Sequence, residues 1–325
     1  MSVRIRLLGI LEDNKGGFVS GGALAEELSV SRNAVWKAVE SLRACGYKIE
    51  AVKSKGYRLE GSGDVLSAEG VMGRLRHEGV FRVETRKSVS STNTVLRELA
   101  AKGLPEGYVI AAEGQTAGKG RLGRSFTSPA GHGAYFSLLL RPRCSSADAA
   151  LITPAAAVAA ARAIWDVFGV RAGIKWVNDL FVGGKKVCGI LTEASIDMES
   201  GMIDNAVLGI GVNITLPEKG FSEELSGIAG ALAGKRAGQD NERCGLIAAT
   251  LDHFWDFYKD LPARAFLDEY RELSIVTGRE VFVLSGESKR PARALAIDDD
   301  SGLLVQYENG DTEVLRSGEV SVKVI

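Results

Sequence analysis

Gly118-Lys119-Gly120-Arg121-Leu122-Gly123-Arg124 alternates glycines with cations, and it lies between two apolar runs, 108–113 and 135–140, that read as strands. Glycine lets a backbone come close to a ligand and expose its N–H groups. Lysine and arginine add charge for phosphate, arginine with two parallel hydrogen bonds. A loop of this composition suits an adenylate or a triphosphate. The spacing is not GxxxxGK[ST], and no helix follows at once, so neither a P-loop nor a dinucleotide fingerprint is present. The same loop is also readable as a basic turn facing water.

Around this loop, residues 66–275 alternate strand-like and helix-like stretches. Strands are expected at 81–85, 108–113, 135–140 and 207–212, and helices at 94–102, 154–168 and 246–260. The 154–168 helix is apolar on most sides and is expected to be buried. This mixed order predicts an α+β unit with helices packed on a mixed sheet. Two further clusters carry chemistry. Lys175-Trp176-Val177-Asn178-Asp179-Leu180 is followed by Lys185-Lys186-Val187-Cys188-Gly189-Ile190-Leu191-Thr192-Glu193, with Gly183-Gly184 as hairpin punctuation. Its lysines either face water or bring one cation to an activated carboxylate and phosphate. Ser90-Ser91-Thr92-Asn93 offers hydroxyls and an amide just before a helix, and also suits an N-cap.

Residues 1 to about 60 hold ten Lys/Arg against seven Asp/Glu. The run 23–28 reads as a short helix, broken at Ser29-Val30. Ser31 then caps a second helix whose Val35, Ala38, Val39 and Leu42 share one face. Its other face presents Arg32, Asn33, Trp36, Lys37 and Arg43, and Gly46 stops it. A hairpin follows, with Lys53 and Lys55 at its tip. Two helices, a tight turn and a basic hairpin make a winged helix-turn-helix. Lys53 and Lys55 are placed to neutralise phosphates, and Ser31, Arg32, Asn33, Trp36 and Lys37 to lie at the DNA. A protein-interaction face is the alternative. Gly61-Ser62-Gly63 reads as a short flexible linker.

The last fifty or so residues contain short strands at 280–284, 292–297, 303–307 and 312–315, separated by turns that include Asn309-Gly310. They suggest a small β-barrel of the SH3-like kind. The expected division is 1–63, 64–275 and 276–325. Over the whole chain the net charge is −1, so a nucleic-acid surface has to be local. The four cysteines form no CxxC pair and the three histidines have no metal-ligand spacing, so no side-chain metal site is expected. The low cysteine count and the lack of a long apolar run suggest a cytoplasmic protein without a membrane segment.

Taken together, the glycine–cation loop, Ser91-Thr92-Asn93, Gln115, the Lys-Trp-Val-Asn-Asp run, 186–191, Leu208-Gly209-Ile210-Gly211-Val212-Asn213 and 315–319 resemble the biotin protein ligases. With the winged helix in front, the chain is similar to the bifunctional subgroup that also represses the biotin operon. The resemblance implies biotin and ATP, with Mg²⁺, as substrates, biotinyl-5′-AMP as intermediate, and a biotin carboxyl carrier protein domain as acceptor. It implies catalytic roles for Lys186 and Arg121. It implies ligand contacts from Ser91, Thr92, Asn93, Gln115, Gly118, Lys119, Gly120, Arg121, Lys175, Asn178, Lys186, Gly189, Gly209, Gly211 and Asn213. It also implies a homodimer when the adenylate is bound, operator DNA as partner, and a loop at 215–230 that orders over adenine. The sequence departs from the family's habit at Lys119, where arginine is usual, at Val177, where proline is usual, and at Phe126, often tryptophan. A lipoate-type ligase and an acid-sensing regulator without ligase activity are the alternatives.

Overall fold

Three N-terminal helices, Val3–Asp13 (α1), Gly21–Leu28 (α2) and Arg32–Ala44 (α3), each begin at a serine. The hydroxyls of Ser2, Ser20 and Ser31 accept the N–H groups of Ile5, Ala23 and Ala34, satisfying donors that a helix start leaves open. The computed structural model describes residues 2–61, 63–142, 145–196, 202–233, 242–285, 288–316 and 318–322. Ser62, Cys144 and Ser317 lie outside the described residues. Helix α1 has no counterpart in the sequence reading, because Arg4 and Arg6 interrupt its apolar run. Its Ile5, Leu7, Leu8 and Leu11 are buried all the same. Ser29 turns the chain between α2 and α3 in a left-handed conformation, φ 55°. Val35, Ala38, Val39 and Leu42 of α3 are buried, as the helical spacing predicts.

The strands Ile49–Val52 (β1) and Gly56–Leu59 (β2) pair antiparallel to form the wing. Tyr57 also exchanges backbone hydrogen bonds with Val19, at 2.8 and 2.9 Å. Position 56 has to be glycine: its φ is +105°, and a Cβ there would stand 2.1 Å from the Val19 carbonyl oxygen.

After the short helix Ala68–Met72 (α4) come Arg82–Val89 (β3), Thr92–Ala100 (α5), Tyr108–Gln115 (β4), Gly133–Leu140 (β5), Ser146–Ala149 (α6) and Ile152–Phe168 (α7). Then follow Gly173–Lys175 (β6), Asp179–Val182 (β7), Lys185–Ile196 (β8), Ile203–Asn213 (β9), Glu223–Ser226 (α8), Glu242–Tyr258 (α9) and Leu267–Glu272 (α10). The seven strands form one mixed sheet in the order β3-β4-β5-β9-β8-β7-β6, in which only the β3–β4 pair is parallel.

Strand periodicity sorts the two faces of this sheet. Phe136, Leu138, Leu140, Ala206, Leu208, Ile210 and Val212 face the core built with α7 and α9. Leu139 and Val207 face the other way and pack with Leu96 and Ala100 of α5. Residues 209 and 211 follow Val207 on that second face. The expected helix at 94–102 starts two residues earlier, at Thr92, and the expected strand at 81–85 runs on to Val89.

The remaining strands, Glu280–Ser285 (β10), Ser288–Ile297 (β11), Leu303–Tyr307 (β12), Thr312–Leu315 (β13) and Glu319–Val322 (β14), make a five-stranded antiparallel sheet ordered β13-β12-β11-β10-β14. The strand β14 adds to the four expected. This sheet shares a hydrophobic core with the seven-stranded one, and the Trp176 indole donates to the Ser301 carbonyl at 2.9 Å.

The winged helix is also joined by packing. Arg243, 4 % exposed, donates through Nε to Asp64 at 2.5 Å, through Nη1 to Glu113 of β4, and through Nη2 to the Asp64 carbonyl. The Tyr47 hydroxyl meets Ser67 at 2.7 Å, and the Cys244 thiol donates to the Val65 carbonyl at 3.3 Å. The residues just after the expected flexible linker are therefore clamped. Among the described residues no helix is long and apolar enough to cross a membrane.

Candidate functional site: a glycine-floored cleft and a basic winged-helix face

Register brings the site together. Gly209 of β9 stands opposite Ser137 on one side and Leu191 on the other; Gly211 stands opposite Tyr135 and Gly189. Gly189, Gly209 and Gly211 leave a floor of bare backbone between Ser137, Tyr135 and Leu191. A Cβ on Gly209 would lie 2.0 Å from the Asn93 amide oxygen, and one on Gly211 would lie 2.5 Å from the Phe126 ring. Asn93 and Phe126 thus rest directly on the backbone of β9. Ser91, Thr92, Asn93, Gln115, Lys119, Gly120, Phe126, Asn178, Lys186, Gly189, Gly209 and Gly211 line one cleft.

One end of the cleft is neutral and hydrogen-bonded. The Thr92 N–H donates to Gln115 Oε1 at 2.8 Å, and Gln115 Nε2 donates to Ser128 Oγ at 2.8 Å. Ser128 in turn donates to the Phe126 carbonyl at 3.0 Å. Asn93 Nδ2 donates to Glu193 at 2.8 Å and to the Leu191 carbonyl at 3.3 Å. Ser91 occupies the N-cap position of α5, but its side chain makes no capping bond, contrary to the capping role expected of that cluster.

The other end is cationic. Lys186 Nζ lies 2.6 Å from Asp179 Oδ1. Arg121 is not among the lining residues; its Nη1 reaches the lining Asn178 Oδ1 at 3.1 Å, while Asn178 Nδ2 donates to the Ile190 carbonyl at 2.8 Å. Asn178 therefore ties the glycine–cation loop to β8. The loop closes on itself: Gly120 N–H donates to the Arg124 carbonyl at 2.7 Å and Phe126 N–H to the Gly118 carbonyl at 2.8 Å. These two N–H groups are spent within the loop and are not free for a ligand. Burial pushes the Cys188 thiol well up, which leaves it unsuited as a nucleophile.

Other expected residues stand further out. Gly118 sits behind the lining, where a Cβ would be 2.3 Å from the Phe126 carbonyl oxygen. Asn213 Nδ2 donates to the Gly230 carbonyl at 3.1 Å. Lys175, on the edge strand β6, has its Nζ 5.7 Å from the Phe181 ring centre and is outside the lining. The 215–230 segment runs beside Lys186, whose backbone N–H donates to Ile228 O and whose carbonyl accepts from Gly230 N–H, both at 2.8 Å.

Sequence reasoning missed Ser128, Ser137, Asp179 and Glu193. Ser137 had a signal: it is the one small polar residue in a mostly apolar strand that is buried throughout, where a polar group needs a partner.

On the winged helix, Arg32, Asn33, Trp36 and Lys37 are exposed along α3, and Lys53 and Lys55 are exposed at the wing turn. Trp36 is 50 % exposed, unusual for so large an apolar ring. Ser31 is committed to its cap at 3.2 Å. Lys55 Nζ and the Arg58 guanidinium flank the Phe18 ring at 5.7 and 4.6 Å, which fixes the base of the wing.

The profile of the biotin/lipoate A/B protein ligase family matches residues 86–213, and an HTH domain profile matches residues 3–58. The chain is 35 % identical over 315 residues to the bifunctional ligase/repressor BirA of Bacillus subtilis (strain 168), covering 95 % of each. It is 27 % identical to the protein of the same name from Escherichia coli (strain K12), covering 99 % of this chain and 98 % of the other. A solved structure, the biotin protein ligase from Aquifex aeolicus in complex with biotin and ATP, superposes with a TM-score of 0.59 at 25 % identity, covering 74 % of this chain and 98 % of that one.

Proposed function

The chain belongs to the family of bifunctional ligase/repressor BirA proteins, and on that premise we propose that it is an ATP-dependent biotin protein ligase and a biotin-responsive repressor. It forms biotinyl-5′-AMP and passes biotin to a lysine of a biotin carboxyl carrier protein domain. The same adenylate serves as corepressor. The observation that carries this reading is the cleft, which has a neutral hydrogen-bonding end, a bare glycine floor and a cationic end.

The chemistry fits these parts. In the first step a biotin carboxylate oxygen attacks the α-phosphorus of ATP, and the bond to pyrophosphate breaks. Two anions have to approach each other, which cations in a sheltered site favour. Lys186 leaves Asp179 to stabilise the reacting carboxylate and α-phosphate; Arg121 and Lys119 hold the phosphate. In the second step the neutral amine of the acceptor lysine attacks the acyl carbon and AMP departs. Ser91, Thr92, Asn93 and Gln115 fix the biotin ring, and Gly189, Gly209 and Gly211 let it lie flat on the strands. Gly118, Gly120 and Asn178 shape the cationic loop. Lys175 and Asn213 act from the periphery, Asn213 by holding the 215–230 segment that closes over adenine.

Mg²⁺ enters with ATP as part of the substrate. The polar side chains of the lining are hydroxyls, amides and cations with no carboxylate, a donor set suited to phosphate oxygens. Among the described residues no group of three or more His, Cys, Asp or Glu is arranged to hold a metal.

The winged helix reads operator DNA in this account. The exposed Arg32, Asn33, Trp36 and Lys37 enter the major groove and Lys53 and Lys55 meet phosphates. An adenylate-bound homodimer would span two half-sites. The three units divide near residues 63 and 275, the last being an SH3-like barrel; the short strands and the closeness in sequence of the two edge strands β13 and β14 support that shape. Operator and carrier both suit a cytoplasmic protein.

The test is biotin-dependent ATP–pyrophosphate exchange followed by acceptor biotinylation, with lipoate as competitor. Lys186→Ala and Arg121→Gly are expected to lose adenylate retention and transfer. Full activity in both variants would sink the site assignment, and preference for lipoate would sink the substrate.

A further inference from the structure

Ser137 lies on β5 with no exposed surface, directly beneath the residues expected to hold the ligand's polar end. Its Oγ is 2.6 Å from Asn93 Oδ1 and 2.7 Å from Thr92 Oγ1. The protons in this cluster can be placed by elimination. The Leu191 carbonyl and the Glu193 carboxylate only accept, so the Asn93 amide nitrogen faces them and its oxygen faces Ser137. Asn93 Oδ1 only accepts, so Ser137 donates to it. A hydroxyl has one proton, so the short Ser137–Thr92 contact is satisfied only if Thr92 donates to Ser137. The competing Thr92–Gln115 hydroxyl contact is longer, 3.2 Å, and Gln115 Oε1 already accepts the Thr92 N–H.

We infer that Ser137 is a positioning residue: by accepting the Thr92 proton it presents the Thr92 oxygen to the cleft as a hydrogen-bond acceptor for a substrate N–H. The inference rests on the biotin reading and sharpens it. The favoured ligand class is a cyclic urea, whose ring N–H groups can donate there. A ligand without such a donor leaves a desolvated acceptor unpaired, which hydrogen-bonding sites penalise strongly. Selectivity is thus set one layer behind the surface that touches the ligand.

The test is ATP–pyrophosphate exchange with Ser137→Ala, Ser137→Cys, Thr92→Val and the double variant Ser137→Ala/Thr92→Val. Ser137→Ala is expected to raise the KM for biotin about ten-fold, the size of one lost buried hydrogen bond, with the KM for ATP and kcat within about two-fold. Desthiobiotin, which keeps both ureido N–H groups, should suffer the same loss. The double variant should be no worse than Thr92→Val alone, because both act through one oxygen. Ser137→Cys, a weaker partner, should fall between wild type and Ser137→Ala, and decides the matter should the alanine variant not fold. An unchanged biotin KM, equal rises in the biotin and ATP KM values, or additive losses in the double variant would overturn the inference while the ligase reading stands. No biotin-dependent exchange in the wild-type protein would overturn both.

Discussion

Gly209→Ala puts a methyl group where the structure has no room. Its Cβ would lie 2.0 Å from Asn93 Oδ1 and 2.8 Å from Asn93 Cγ. Asn93 cannot easily retreat: it is 4 % exposed and held by Ser137, Leu191 and Glu193. Overpacking of this kind costs about 1–3 kcal/mol, and displacing a buried hydrogen-bonded amide adds about 1–3 kcal/mol. We therefore expect a loss of about 2–6 kcal/mol in a urea titration and loss of measurable biotin binding by calorimetry. Gly211→Ala is the control. There the clash is with the Phe126 ring, at 2.5 Å, and that ring is half-buried on a loop and can swing. It should cost less than about 1 kcal/mol in stability but narrow the cleft, weakening biotin about ten-fold. If Gly209→Ala kept wild-type stability and affinity, or if Gly211→Ala were equally destabilising, the account of the glycine floor would be wrong.

Arg243→Ala should cost about 3–5 kcal/mol, because it leaves Asp64 and Glu113 facing each other without their cation. Hydrogen exchange should then rise in 64–73 and at the start of α9; unchanged protection there would refute the clamp. Burial pushes the Cys244 thiol up to about 11 from 9.0 and raises Cys188, Tyr135 and Tyr270 as well. The unfolded chain then loses protons before the folded one, so stability should be full below about pH 9 and fall as pH rises above it. Cys244 alone contributes about 2–3 kcal/mol to that fall by pH ~11, and Cys244→Ala should flatten the curve; a pH-independent denaturation midpoint speaks against it. On the winged helix, Lys53→Ala/Lys55→Ala should weaken operator binding for all sequences and reduce the slope of log affinity against log salt by about 2. Arg32→Ala should instead relax sequence preference, and a purely electrostatic effect at Arg32 would remove it from the base-reading set.

Much of this architecture was legible because periodicity and capping are local. Ser31 caps α3 and the spacing of Val35, Ala38, Val39 and Leu42 gives its buried face. The cleft was legible as residue types, since glycine beside lysine and arginine implies close approach to an anion. What was not legible depends on pairing across the sheet. Ser137 sits opposite Gly209, and Asp179 meets Lys186, only because of strand register. Nor does sequence spacing show that Gly120 N–H is used within its own loop. No local signal announces that Asp64, just after Gly61 and Gly63, is captured by Arg243, a residue far along the chain.

That captured joint bears on how such a chain could evolve. The Tyr47 phenol fits against Ser67, and a Cβ on Gly70 would lie 2.8 Å from the Tyr47 oxygen and 2.9 Å from the Cys244 sulfur. Deleting the first 63 residues would uncover Val65, Ser67 and Gly70, and with them Cys244 of α9. A descendant that kept only the enzyme would first need polar replacements across that face. Regulation is thus hard to shed by a single truncation, and the two activities stay on one chain partly because their surfaces have become one another's interior.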